Sequence, residues 1–84
     1  MSTKEKLIER FKCMPNDFTF HEMKSLLQHL GYEMYNKGKT SGSRVIFKDM
    51  YGHIIMLHKP HPGSIVKHYA MKQVMEELKF RGKI

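Results

Sequence analysis

An α+β fold, a three-stranded antiparallel sheet with helices on one face, is what this 84-residue sequence predicts. Three observations carry that reading. Apolar residues recur at helical spacing before Gly31 and again after Gly63. Between them the period shortens toward two. Turn residues then cut the two-period stretch into three short runs. The predicted order is an extra N-terminal helix followed by α-β-β-β-α, and a meander with its helices on one face is the economical way to bury these stripes.

In the first helix, Lys4 to Phe11, Leu7, Ile8 and Phe11 share one face, and Met14-Pro15-Asn16-Asp17 ends it with a turn. The second is marked at both ends. Thr19 and Glu22 have the spacing of a capping box, Phe18 and Met23 that of a hydrophobic staple, and Gly31 follows as the C′ residue. Phe20, Met23, Leu26, Leu27 and Leu30 form its apolar stripe. Tyr32 to Tyr35 reads as a short first strand. Arg44 to Lys48 alternates Val45 and Phe47 against Arg44, Ile46 and Lys48, giving a core face and a mixed face. Asp49 to Gly52 supplies a turn, and His53 to His58 returns as the third strand, closed by Pro60 and Pro62, which cannot donate to a ladder. Tyr69, Met71, Val74, Met75 and Leu78 mark a last helix ending near Arg81-Gly82. The double-stranded-RNA-binding domain has this order of elements.

A chain of this length reads as one domain that buries roughly 60 to 65% of its unfolded surface. The single cysteine, Cys13, allows no internal disulfide, and the N-terminus has no apolar stretch of signal-peptide length, so a reducing cytoplasmic setting is expected. The longest aliphatic run, Ile54 to Leu57, falls far short of the roughly 20 residues of a membrane span. Charge is unevenly placed. Five basic and five acidic residues cancel in residues 1–33, while residues 34–84 hold ten basic residues against Asp49, Glu76 and Glu77, so the whole net +7 lies there. Such a half suits a polyanion, because cations that meet phosphates release condensed counterions.

From about Phe18 to Leu78 the sequence resembles the HicA toxin family, the small ribonuclease components of bacterial toxin-antitoxin pairs. The matching stretches are Leu26-Leu27 through Leu30-Gly31-Tyr32, the turn Gly42-Ser43 before an apolar strand, the hairpin, the His58 to Gly63 segment with its two prolines, and the closing helix. Residues 18–80 would be the family core and 1–15 a helical extension. The resemblance implies RNA bound along the sheet, a glycine-flanked histidine in the site, and a HicB-like antitoxin that covers it. This chain departs at the histidines. Aligned on the family's Gly-Ser-His-His, positions 44 and 45 hold Arg44 and Val45; aligned on Gly-x-His, Ser43 or Arg44 takes the place. No histidine stands between Leu30 and His53.

Metal-free RNA cleavage needs one group to accept the 2′-hydroxyl proton and another to protonate the leaving oxygen, which imidazole, titrating near about 6.5, does well. Arginine is not a base, but Arg44 can stabilise phosphorane charge and Ser43 can bond a phosphate. His58 and His61 are the candidates for relocated proton transfer; the alternatives for both are phosphate or 2′-hydroxyl contacts, or caps around Pro60 and Pro62. His53 is expected on the face opposite His58. Lys37, Lys39, Arg44 and Lys59 are the candidate RNA contacts. Met50 and Tyr51 on the hairpin are a candidate antitoxin-facing patch. Gly38-Lys39-Thr40 is not a P-loop, since Glu33 stands where its first glycine belongs and a strand follows, so no nucleotide cofactor is expected. No metal site is expected either: His58 and His61 lack suitably spaced acidic or thiolate companions. Two other readings keep the fold, a non-catalytic RNA-binding domain and a protein-interaction domain whose basic face meets an acidic partner.

Overall fold

The computed structural model describes residues 3–35, 44–60 and 63–84. Helix α1 (Thr3–Lys12) turns Leu7, Ile8 and Phe11 inward, and Phe11 is fully buried with its ring centroid 5.5 Å from that of Phe18. Its outer side holds Arg10, which bonds Glu22 at 2.7 Å and Asp17 at 3.0 Å and so ties α1 to the next helix. The chain leaves α1 through Met14 at φ 52°, and Pro15 prevents continuation.

Both ends of α2 (Phe20–His29) are capped as the sequence predicts. The Thr19 hydroxyl accepts from the Glu22 amide at 3.1 Å, and the Glu22 carboxylate accepts from the Thr19 amide at 3.0 Å. Phe18 and Met23, the staple pair, are fully buried. At the far end Gly31 adopts φ 96°, which an L side chain resists, and this lets the Gly31 and Tyr32 amides return to the Gln28 and Leu27 carbonyls at 3.1 and 2.9 Å.

Strands β1 (Glu33–Met34), β2 (Arg44–Lys48) and β3 (Ile54–His58) form a sheet of order β1-β2-β3, antiparallel throughout. Its inner face, Val45, Phe47, Ile55 and Leu57, packs into one apolar cluster with Met23, Leu26 and Leu27 of α2 and with Met71, Val74 and Leu78 of α3 (His68–Phe80). The fold is therefore the expected α+β arrangement, α-β-β-β-α with a further helix in front. The third strand begins one residue later than expected, because the His53 amide is taken by the Asp49 side chain at 2.8 Å instead of a ladder partner.

The link from β3 to α3 is pinned to the start of α2. Phe20 donates to the Ser64 carbonyl at 2.7 Å and Val66 to the Phe18 carbonyl at 2.8 Å, with Thr19 and Ile65 bridged between them. His68 Nε2 donates to the Met14 carbonyl at 3.0 Å, so the first residue of α3 also holds the exit of α1.

Candidate nucleic-acid interface

Alternation that buries Val45, Phe47, Ile55 and Leu57 sends their neighbours to the other side of the sheet, where no helix of the described residues covers them. The β2–β3 register sets Arg44 opposite His58, Ile46 opposite Met56 and Lys48 opposite Ile54. The β1–β2 register sets Glu33 opposite Lys48, and the Tyr35 amide donates to the Ile46 carbonyl. The outer face thus has an apolar middle row of Tyr35, Ile46 and Met56, with Arg44 and His58 paired along one side of it and Lys48 on the other. Tyr35 is 53% exposed, Ile54 52% and Met56 45%, far more than core packing leaves to side chains of this size. The Lys48 ammonium lies 5.0 Å from the Tyr35 ring centre, a cation held against a π face.

Of the residues singled out from sequence, Arg44 and His58 are brought together as direct cross-strand partners, a relation in which Cβ atoms lie about 4.5–5.5 Å apart. Lys59 follows His58 directly and is exposed. Ser43, Lys37, Lys39 and His61 lie outside the described residues. The sequence does not mark Tyr35 or Ile54 as surface contacts, and it suggests Met56 as core filling, whereas alternation puts Met56 on the outer face at 45% exposure. Carrying the period of two through β3 would have grouped Ile54 and Met56 with His58.

His53 is on the other side of the sheet, as alternation requires. Its Nδ1 lies 2.6 Å from the Tyr32 hydroxyl and its Nε2 3.3 Å from Glu77. Burial pushes the Tyr32 phenol up to about 12, with the nearby Asp49 carboxylate adding to the effect, so the phenol keeps its proton. One ring nitrogen thus ties the hairpin to Tyr32 ahead of β1 and the other ties it to α3.

Asp49 completes this knot. Its Oδ1 accepts from the Tyr51 and His53 amides at 3.0 and 2.8 Å, and its Oδ2 lies 3.3 Å from the Lys83 ammonium. Burial pushes the carboxyl up, but the His53 amide, Lys83 and the Tyr51 amide outweigh it and hold the group below the usual carboxylate range. Among the described residues no three His, Cys, Asp or Glu side chains gather closely enough to hold a metal ion.

A small basic α+β chain with a sheet face that no helix of the described residues covers, carrying cations at its sides, is the architecture; its family follows from the sequence match. Residues 20–80 match the family model described as the HicA toxin of bacterial toxin-antitoxin pairs, and the chain belongs to that family. No curated protein and no solved structure matches it. Membership makes the chain a toxin-family protein, and the family implies a cognate antitoxin as partner. Among the described residues no helix is long and apolar enough to cross a membrane.

Proposed function

We propose that this toxin is an endoribonuclease acting on mRNA in the cytoplasm, with Arg44 and His58 at the scissile phosphate and a HicB-like antitoxin neutralising it by covering the same face. The observation that carries this is the cross-strand pairing of Arg44 with His58 on the uncovered side of the sheet. It supports a site in which the family's histidine, missing from the turn before β2, is replaced from the adjacent strand.

In this reading RNA lies on the apolar row, with a base against Tyr35, and its backbone meets Arg44, Lys48 and Lys59. His58 takes the proton from the 2′-hydroxyl, whose oxygen attacks phosphorus as the bond to the 5′-oxygen breaks. The leaving oxygen takes up a proton, for which His61 is the candidate donor, and the products are a 2′,3′-cyclic phosphate and a 5′-hydroxyl end. Arg44 stays cationic throughout and stabilises the phosphorane charge. Lys37 and Lys39 are further backbone contacts, and Ser43 a phosphate hydrogen-bonder.

Incubating RNA with wild-type protein, Arg44→Ala and His58→Ala tests this. Loss of a proton-transfer group lowers the rate by about 10²–10⁴-fold, and a pH profile limited by a group titrating near about 6 to 7 identifies an imidazole. Cleavage by His58→Ala at the wild-type rate removes His58 from the chemistry. RNA left intact by wild-type protein that still binds it in a salt-dependent way selects the second reading, a non-catalytic RNA-binding domain, which the absence of a histidine between Leu30 and His53 favours.

A further inference from the structure

A cleft separates β3 from the first turns of α3. His58 and Lys59 form one wall, Lys67, Tyr69 and Gln73 the other, and Val66 lies in the apolar floor. His58 belongs both to this cleft and to the outer sheet face, so the two surfaces are continuous at the proposed scissile position. The cleft holds about 220 Å³, less than the roughly 300–1,000 Å³ of pockets that engulf small-molecule ligands. That volume suits a single base laid in from the sheet.

The side chains fit such a guest. Tyr69 is 66% exposed and lines the cleft, so its ring contributes little to the core and is accessible to a guest. Lys67 and Lys59 put cations on opposite walls, where a phosphate would be neutralised. Beyond Gln73 the lining changes: the next depression along α3 mixes Glu76 and Glu77 with His53 and Arg81 and lacks the paired lysines of the cleft.

We infer that this cleft takes the nucleotide adjoining the scissile phosphate of a single-stranded RNA, with its base stacked on Tyr69 and its phosphate held by Lys67. The inference rests on the RNA-cleavage reading above and adds to it a subsite on α3. Lys67, Tyr69 and Gln73 become substrate contacts. Stacking and charge neutralisation discriminate little between bases, so the subsite adds affinity and register with little base preference.

The test uses a fluorescein-labelled single-stranded oligoribonucleotide, 2′-O-methylated to prevent cleavage, and fluorescence anisotropy over a salt series. Tyr69→Ala weakens binding about 5- to 150-fold, the effect of removing one base–aromatic stack, while Tyr69→Phe retains wild-type affinity. Lys67→Gln shallows the slope of log K against log salt by about 0.7, one single-strand phosphate contact. Scanning an abasic nucleotide along the oligonucleotide finds one position whose loss weakens wild-type protein but has no further effect in Tyr69→Ala. Melting curves confirm that the exposed-site variants remain folded. Wild-type binding and cleavage with Tyr69→Ala and Lys67→Gln unchanged overturns the subsite and leaves the proposed function standing. Wild-type protein that binds no RNA at low salt overturns both.

Discussion

Asp49 is a buried carboxylate at the hairpin turn that joins three parts of the chain: the turn amides, Lys83 in the C-terminal tail, and, through the His53 amide, the start of β3. Its folded pKa is depressed, so its contribution to stability is fully present above the unfolded value of about 3.9 and is lost as pH falls through the folded value. Asp49→Asn, which keeps an amide acceptor but not the charge, should therefore flatten the fall in melting temperature between about pH 5 and pH 3. Asp49→Ala should lower the melting temperature further at every pH. Equal acid limbs for wild type and Asp49→Asn would sink this assignment. The sequence shows Asp49 only as a turn former, because the Lys83 contact spans 34 positions and belongs to no local pattern. Arg44 and His58 were more legible: two short strands joined by a four-residue turn leave few registers, and alternation fixes the face of each. The Tyr32–His53–Glu77 chain was not legible beyond the face of His53, since it depends on where α3 lands.

Element ends were readable where the signal was local. The capping box and Gly31 bracket α2 in sequence as they do in the fold, because each acts on amides or carbonyls within a few residues. Thr19→Ala should destabilise the protein by about 1 kcal/mol, a fall in melting temperature of roughly 4–8 °C for a domain of this size. An unchanged melting temperature would mean that water serves the freed Glu22 amide equally well. Helix α1 poses a different question, since the family match begins at residue 20, after α1 has ended. Phe11 nevertheless sits at 0% exposure in the same apolar cluster as α2, α3 and the sheet. Phe11→Ala should cost about 3–5 kcal/mol by urea unfolding, the loss typical of a buried phenylalanine. A cost below about 1 kcal/mol would show that α1 is an appendage the core can spare. The sequence exposes the apolar face of α1 but not its partner, because which helix meets Phe18 is a matter of packing rather than period.

Across the whole molecule the charge asymmetry acquires a direction. The balanced N-terminal third supplies α1 and α2 on the covered side of the sheet, where Arg10 is already engaged with Glu22 and Asp17. The cationic remainder supplies Arg44, Lys48 and Lys59 around the uncovered face and Lys67 across the cleft beside it. These four cations alone give a slope of roughly −3 for log K against log salt with single-stranded RNA, at about −0.7 per contact, and Lys37 and Lys39 as further contacts steepen it to roughly −4. Replacing Lys4 and Lys6 by glutamine removes as much net charge as replacing Lys48 and Lys59, yet α1 lies across the core from the proposed interface. Anisotropy titrations over a salt series should find the Lys4/Lys6 double variant close to the wild-type slope and the Lys48/Lys59 double variant shallower by about 1.4. Equal shifts in both would mean that RNA responds to net charge alone and that the uncovered face has no privileged role.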